Sequence, residues 1–169
     1  MSQIEYRKAN SSDIVKLSVL FKQVYIATYG VEGVSDEFAN FITKQFAPER
    51  LEGILDNLTV AAYKNNLVGV AEIQMEKKCP VGDLIAPELN KLYILEWFCG
   101  RGIGEQLLEM AESMVKAKGI DKIWLWVLDS NSRAINFYRK HGYKDIGQAS
   151  FQMEVNSYDN LVMVKELIV

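Results

Sequence analysis

The feature that most constrains this chain is an apolar strand that runs into a glycine-rich loop and then directly into a helix. The strand and loop read Leu92-Tyr93-Ile94-Leu95-Glu96-Trp97-Phe98-Cys99-Gly100-Arg101-Gly102-Ile103-Gly104, and residues 105–118 have the apolar spacing of an amphipathic helix. Glycines let the backbone turn tightly and approach a ligand without Cβ clashes, so amide groups at the helix start can converge on one anion. The stretch therefore predicts a phosphate-binding site.

Glycine spacing distinguishes between the known phosphate-binding loops. A P-loop ends in Gly-Lys-Ser/Thr, whereas this loop continues as Gly104-Glu105-Gln106. A Rossmann loop has the spacing G-x-G-x-x-G and an acidic residue about 20 positions later. Here the spacing is G-x-G-x-G, and Asp129 lies beyond that distance. Glycine spacing alone is also compatible with an ordinary helix start, at which the glycines serve only packing.

A second motif follows the next predicted strand, Lys122–Leu128, and reads Asn131-x-x-Ala134-x-x-Phe137-Tyr138 with Gly142-Tyr143 after it. Together with the glycine loop it resembles the two acetyl-CoA-binding motifs of the GCN5-related N-acetyltransferases (GNAT family). The resemblance implies an α/β (α+β) fold with a mixed central sheet of about six to seven strands flanked by helices. Residues 1–169 are expected to form a single N-acetyltransferase domain, and the 49% hydrophobic composition can supply its core.

The resemblance implies cofactor contacts for individual residues. The pantetheine arm of acetyl-CoA, the co-substrate, is expected to pair with the backbone of Leu92, Tyr93 and Ile94. The pyrophosphate is expected at Gly100, Arg101, Gly102, Ile103, Gly104 and Glu105. On the second motif the implied contacts are Asn131, Ala134, Tyr138 and Lys140, with the Tyr138 phenol as general acid toward the CoA sulfur. Arg139 is a further candidate for the 3′-phosphate. Cys99 stands where the family usually carries Gln or Arg, so one phosphate-side contact is missing.

The implied reaction is direct transfer of acetyl to a primary amine, and it needs a base. An alkyl ammonium has a pKa of about 10.4, so it must lose a proton before it attacks. Glu88, at the entrance of the strand predicted at residues 89–95, is the first candidate, and Glu72 on the preceding hairpin is the competitor. Each of these carboxylates could instead bind the substrate ammonium or be a solvated charge.

The first two predicted helices carry the candidates for the acceptor pocket, Tyr25, Tyr29 and Glu37. Aromatic residues at helical spacing more often belong to the hydrophobic core than to a binding pocket. Other segments resemble bacterial PaiA-type polyamine N-acetyltransferases, namely Thr28–Gly30, Glu88–Ile94, Ile123–Val127, Phe151 and Asp159–Met163. This resemblance implies spermidine or spermine as the amine, and the family resemblance implies a homodimer. A cytoplasmic enzyme is the expectation from a sequence without a signal-peptide run or a membrane span. Two alternatives stay open: a protein lysine or N-terminal acetyltransferase, and a non-catalytic acyl-CoA-binding sensor.

Composition argues against several other classes. A net charge of −3 does not suit nucleic-acid binding, which requires clustered Lys and Arg. The single histidine, His141, and two cysteines without Cys-x-x-Cys spacing predict no metal site and two free thiols. No segment approaches the roughly 20 apolar residues of a membrane span, and the N-terminal residues have no apolar run of signal-peptide length.

Hydrophobic periodicity and turn residues place the remaining elements. They predict helices at residues 14–29 and 105–118 and helix starts after Ser35, at Pro48 and after Asn131. Predicted strands cover residues 4–7, 59–64, 67–75, 89–95, 122–128, 143–153 and 161–167. Asn65-Asn66 is the predicted hairpin turn, and residues 77–84 and 156–160 are predicted connections.

Overall fold

The computed structural model describes residues 4–168. In this part of the chain the helices α1–α5 cover Ile14–Tyr29, Asp36–Gln45, Pro48–Glu52, Ile103–Lys116 and Ser132–Lys140. The strands β1–β7 cover Glu5–Lys8, Leu58–Tyr63, Asn66–Lys78, Ile85–Ile94, Lys122–Leu128, Lys144–Gln152 and Ser157–Glu166. Single turns of 3-10 helix lie at Ser11–Asp13, Leu55–Asn57 and Glu96–Phe98.

The strands form one seven-stranded sheet in the order β1-β2-β3-β4-β5-β7-β6. β4 pairs in parallel with β5, with Glu88 opposite Trp124. The pairs β1–β2, β2–β3, β5–β7 and β6–β7 are antiparallel. The predicted mixed sheet flanked by helices is therefore confirmed.

The predicted hairpin turn between β2 and β3 was wrong by one residue. Tyr63 pairs with Asn66, so the two central residues are Lys64 and Asn65, with φ of 50° and 64°. A two-residue turn with positive φ at both positions matches the twist of the flanking strands, and this requirement decides which residues turn.

Two further boundaries differ from the prediction. β4 begins at Ile85, so Glu88 lies inside the strand and not at its entrance. β7 begins at Ser157, which pairs with Gln152 of β6, so most of the predicted connection at residues 156–160 is strand. The glycine-loop helix α4 ends at Lys116, and Gly119 follows with a φ of 71°.

The described residues divide into two compact units, residues 4–72 with 91–109 and residues 73–90 with 110–168. In the first unit, the Phe21 ring stacks on Phe46 with centroids 5.3 Å apart, and Ser18 Oγ donates a 2.6 Å hydrogen bond to the Phe46 carbonyl. Asp13 is fully buried and binds Arg7 through two hydrogen bonds of 2.6 and 2.9 Å. These contacts fix the start of α1.

In the second unit, Trp124 is the largest member of a buried cluster that also contains Cys79, Ala86 and Val162. Its indole Nε1 donates a 3.0 Å hydrogen bond to the Ala86 carbonyl, which satisfies the one polar atom of the ring. Cys79 in this cluster and Cys99 in the first unit are both free thiols, as predicted.

Candidate functional site

The glycine loop has the backbone geometry that its sequence predicts. Gly100 and Gly102 have φ of 74° and 79°, and no atom lies within 4 Å of where either Cβ would be. The left-handed conformation therefore requires glycine through backbone strain and not through crowding. The first hydrogen bond within α4 runs from the Gln106 amide to the Gly102 carbonyl at 3.1 Å. The amides of Ile103, Gly104 and Glu105 precede it, at the positive end of the helix dipole.

Close backbone packing supports the strand that feeds this loop. A Cβ on Gly69 would lie 3.2 Å from both the Tyr93 carbonyl and a Leu107 methyl, so any other residue would require these neighbours to move by a few tenths of an ångström. The Leu95 amide donates a 2.9 Å hydrogen bond to the Val68 carbonyl. Sequence reasoning did not single out Gly69, because a lone glycine in an apolar run carries no local signal of what approaches it.

Most side chains of the loop are open to solvent or half-buried, whereas Ile103 at the start of α4 is buried. The Arg101 guanidinium lies 5.0 Å from the centroid of the Phe98 ring, a cation–π contact that orients it beside the glycines. The Cys99 thiol lies 3.7 Å from the Leu95 carbonyl and 3.9 Å from that of Ile94. It therefore turns back onto the chain that precedes it.

In the second unit, α5 carries the residues of the second motif. Asn131 caps this helix, and its Oδ1 accepts a 3.1 Å hydrogen bond from the Ala134 amide. Tyr138 is buried to 8% exposure, and its ring lies 5.4 Å from that of Phe137. Lys140 is exposed in the last turn. Its neighbour Arg139 pairs with Asp145 at 2.5 Å, a hydrogen bond that raises the pKa of the guanidinium.

A buried polar cluster that sequence reasoning missed adjoins Tyr138 in the second unit. The Tyr143 hydroxyl donates to Glu112 Oε1 at 3.2 Å, and Lys165 Nζ contacts both oxygens of Glu112 at 2.8 and 2.7 Å. Burial raises the pKa of Tyr143 well above its usual value, and the Glu112 carboxylate raises it further. Tyr143 is therefore a protonated hydrogen-bond donor throughout the neutral range.

The two candidate bases occupy different surroundings. Glu88 is 6% exposed on β4, opposite Trp124. Glu72, in the first unit, is fully buried and forms a 2.6 Å ion pair with Lys91. The Lys91 ammonium also lies 5.8 Å from the centroid of the Phe21 ring. An opposite charge thus already engages Glu72.

The acceptor-pocket candidates lie on α1 and α2 of the first unit. The Tyr25 and Tyr29 rings are 4.4 Å apart, and Tyr25 also contacts the rings of Phe38, Phe41 and Phe46 at 5.3 to 5.9 Å. Tyr25 is 7% exposed, whereas Tyr29 and Glu37 are half-buried. Most of the Tyr25 ring therefore serves the core, and Tyr29 and Glu37 are the more accessible of the three.

Neither a metal-binding cluster nor a membrane-spanning helix occurs in the part of the chain that the structure describes. Residues 4–168 contain no group of three or more His, Cys, Asp or Glu side chains that could hold a metal ion. Within the same span, no helix has both the length and the apolar character needed to cross a membrane.

Residues 22–143 match the family model described as Acetyltransferase (GNAT) family. A spermidine N(1)-acetyltransferase of Thermoplasma acidophilum is 28% identical over 161 residues, which cover 89% of this chain and 96% of that protein. An uncharacterized N-acetyltransferase of Mycobacterium bovis is 28% identical over 137 residues, covering 79% of this chain and 84% of that protein. The crystal structure of PaiA N-acetyltransferase from Thermoplasma acidophilum in complex with coenzyme A matches with a TM-score of 0.76 at 24% identity, covering 97% of this chain and 99% of that one.

The matched range contains the glycine loop, α4, β5 and α5, which carry the two motifs noted in the sequence. The likeness to the PaiA structure extends over nearly the whole chain and confirms the predicted fold. The chain belongs to the GNAT family of N-acetyltransferases.

Proposed function

We propose that this acetyltransferase transfers acetyl from acetyl-CoA directly to a primary amine of a polyamine such as spermidine or spermine. The observation that carries the co-substrate assignment is the pair of left-handed glycines at the start of α4. The polyamine assignment is supported by the 28% identity to the spermidine N(1)-acetyltransferase of Thermoplasma acidophilum, which extends over 89% of this chain.

The glycine loop fits a pyrophosphate because its backbone can approach an anion without Cβ atoms in the way. Gly100, Arg101 and Gly102 would surround the phosphates, and the amides of Ile103, Gly104 and Glu105 would donate hydrogen bonds to them. The backbone of Leu92, Tyr93 and Ile94 would pair with the pantetheine arm as an added strand would. When bound, acetyl-CoA supplies the activated acetyl group.

On α5, the proposed contacts divide between backbone and side chains. Asn131 Oδ1 already caps the helix, so its Nδ2 is the group proposed to donate to the pantetheine. Ala134 would lie against the arm, and exposed Lys140 would attract the 3′-phosphate. Because Arg139 is paired with Asp145, Lys140 is the preferred basic contact of the two.

Tyr138 is proposed as the general acid. When the amine nitrogen forms its bond to the acetyl carbon and the carbon–sulfur bond breaks, the sulfur leaves with an electron pair. The Tyr138 hydroxyl would give its proton to that sulfur, and solvent would later restore it. Holding the donor in place before reaction supplies a proximity advantage that a free phenol in water lacks.

The base that accepts the ammonium proton is proposed to be Glu88, directly or through a water molecule. Glu72 is the weaker candidate because the ion pair with Lys91 already stabilises its carboxylate as an anion. A carboxylate in a 2.6 Å ion pair has less to offer either a substrate proton or a substrate ammonium. Glu72 would then contribute to the substrate site through Lys91 and not as the base.

Tyr29 and Glu37 are proposed to bind the alkyl ammonium chain, with Tyr25 supporting the Tyr29 ring at 4.4 Å. An aromatic face and a carboxylate suit a cation with apolar spacers, through cation–π attraction and charge. We also propose that residues 1–169 act as one N-acetyltransferase domain, as their length and composition predict. A homodimer stays a prediction from the resemblance, and a cytoplasmic location stays a prediction from the sequence.

The test is the initial rate of CoA thiol release from acetyl-CoA against polyamines, simple alkyl amines and peptides. We expect polyamine-dependent turnover that falls at least about tenfold in Tyr138→Phe, a loss of roughly 1.4 kcal/mol of transition-state stabilisation. Acetyl-CoA binding should persist in that variant. The matched control is Tyr158→Phe on β7, which should turn over at the wild-type rate.

Three results would contradict parts of the proposal. Turnover with peptides but not polyamines would identify a protein acetyltransferase. Binding of acetyl-CoA with no amine-dependent thiol release would identify a sensor. Wild-type rates in Tyr138→Phe would remove Tyr138 as the acid.

A further inference from the structure

The buried cluster of Glu112, Lys165 and Tyr143 has no role in the proposed reaction as written above. Glu112 is only 7% exposed, yet it lies on an amphipathic helix whose outer face could have carried it in water. Burying an ion pair costs desolvation energy that the mutual attraction only partly offsets, so such a pair is a poor means of adding stability. A better-supported use of a buried ion pair is to hold the surrounding side chains in one geometry.

The geometry that this cluster specifies is that of Tyr143. Its hydroxyl donates to Glu112 Oε1 at 3.2 Å, and Lys165 Nζ lies 5.6 Å from the centroid of its ring. Lys165 in turn holds both Glu112 oxygens, so the acceptor of the Tyr143 hydrogen bond is itself fixed. The ring is 2% exposed and is therefore anchored at its polar tip and enclosed along its length.

Tyr143 in turn contacts the proposed acid. Its ring meets that of Tyr138 edge-on, with centroids 5.6 Å apart and an interplanar angle of 64°. Its amide also donates a 3.0 Å hydrogen bond to the Tyr138 carbonyl. Gly142, with a φ of 89°, makes the turn that brings the two tyrosines together. Both the backbone and the ring of Tyr138 are thus bounded by Tyr143.

We propose that Tyr143 and Glu112 are positioning residues for the Tyr138 phenol, with Lys165 holding Glu112 in place. This inference rests on the proposed function, in which Tyr138 is the acid. Tyr143 does not exchange protons during turnover, because burial and the adjacent carboxylate keep it protonated. It acts through the orientation of Tyr138.

Orientation matters here because proton donation depends steeply on distance and alignment. A general acid must come within hydrogen-bond reach of the atom it protonates, and small misplacements of reacting groups cost large factors in rate. Tyr143→Phe keeps the ring but removes its anchor on Glu112. We expect kcat to fall about fivefold, a fraction of the 10²–10⁴ that a positioned acid supplies.

The experiment is a double-mutant cycle of Tyr138→Phe and Tyr143→Phe, measured as kcat and KM for acetyl-CoA with the best amine. Tyr143→Phe should lower kcat and leave KM within about twofold, because the proton transfer from Tyr138 that it disturbs belongs to the transition state and not to substrate binding. Added to Tyr138→Phe, it should change kcat less than about twofold, because the hydroxyl that it positions is already absent. Tyr158→Phe is again the control.

A second pair of variants separates positioning from folding. Glu112→Gln keeps an acceptor for the Tyr143 hydroxyl and should retain most of kcat, whereas Glu112→Leu should reproduce the loss seen in Tyr143→Phe. Thermal midpoints are recorded for each variant. A purely structural role would lower stability in Tyr143→Phe while leaving kcat of the folded enzyme unchanged, and that result overturns the inference.

The outcomes also distinguish this inference from the proposed function. If Tyr138→Phe loses activity but Tyr143→Phe does not, the positioning role fails and the acid assignment stands. If Tyr143→Phe lowers kcat by the same factor in both backgrounds, Tyr143 does not act through the Tyr138 hydroxyl. If Tyr138→Phe is fully active, the acid assignment fails and this inference fails with it.

Discussion

Asp13 is the residue whose contribution to stability can be worked out most completely from its contacts. Its carboxylate is fully buried and accepts hydrogen bonds of 2.6 and 2.9 Å from the Arg7 guanidinium and one of 3.0 Å from the Asn10 amide. Lys16 adds a weaker attraction at 3.8 Å. The hydrogen bonds from Arg7 are the largest of the causes that lower the pKa of Asp13.

The expected cost of Asp13→Asn follows from these contacts. The amide that replaces the carboxylate has one acceptor oxygen instead of two and carries no charge, so at least one charge-assisted bond of roughly 1.5–3 kcal/mol is lost. Arg7 keeps the exposed Glu5 carboxylate, 3.7 Å from its Nε, but loses its close buried partner, and breaking a buried ion pair costs about 3–5 kcal/mol. We expect a loss near 3 kcal/mol, which lowers the urea midpoint by about 1.5 M at a slope of about 2 kcal/mol per molar.

The same ion pair predicts a pH dependence whose sign is fixed. Since the folded-state pKa of Asp13 is depressed below its usual value of 3.8, the stabilisation is complete above the unfolded pKa. It is lost as pH falls through the folded pKa. Wild type and Asp13→Asn should therefore differ most near pH 6 to 7 and converge below about pH 4.

The assay is urea unfolding of both proteins, followed by circular dichroism, from pH 7 down to pH 3. Asp145→Asn is the matched control, because it removes the same type of Arg–Asp pair from a surface where both side chains are more than a third exposed. Its midpoint should stay within the scatter of replicates. Equal midpoints for wild type and Asp13→Asn at pH 7, or a difference that persists undiminished at pH 3, would refute the reasoning.

The other predictions concern the co-substrate site. Gly102→Ala should destabilise by about 1–2 kcal/mol, since φ is 79° with open space around the Cβ, and it should raise the Kd for CoA in calorimetry. Asn131→Asp should keep the cap and the thermal midpoint but raise KM for acetyl-CoA, whereas Asn131→Ala should lose about 1 kcal/mol as well. Cys99→Gln should lower KM for acetyl-CoA about threefold, the value of one added hydrogen bond. An unchanged KM would show that the thiol is no handicap.

Local backbone chemistry is the part of this fold that could be predicted from the sequence. Ser35 and Asn131 cap α2 and α5 as predicted, because a side-chain oxygen before a helix has one local use. β5 has its predicted bounds, since a nearly continuous apolar run suits a strand buried on both faces. The glycine loop could also be predicted, because its left-handed backbone conformation favours glycine over other residues.

Boundaries that depend on pairing partners could not be predicted in this way. β4 begins at Ile85, four residues before the predicted start at residue 89, and it includes Pro87 although proline cannot donate to a sheet ladder. The hairpin turn and the start of β7 were displaced because interstrand register, and not the identity of Asn66 or Ser157, decides which residues turn.

Long-range polar pairs could not be predicted from the sequence either. Glu112 resembles any solvated glutamate on an amphipathic helix until Lys165, 53 positions later, is seen to hold it. Glu72 and Lys91 are separated by 19 positions and carry no motif. Single-sequence patterns report a residue's own preference and not its distant partner.

This difference explains why the acyl donor is better defined than the acceptor. The contacts proposed for acetyl-CoA are mostly backbone amides and carbonyls, which depend on glycine and helix geometry and so leave a pattern in the sequence. The acceptor and the base depend on carboxylates and aromatic rings such as Glu88, Tyr29 and Glu37, whose types occur throughout any surface or core. Glu72 illustrates the point, because its 2.6 Å ion pair with Lys91 leaves no trace in the sequence. Comparing Glu88→Gln with Glu72→Gln in the amine assay tests which of the two carboxylates acts as the base.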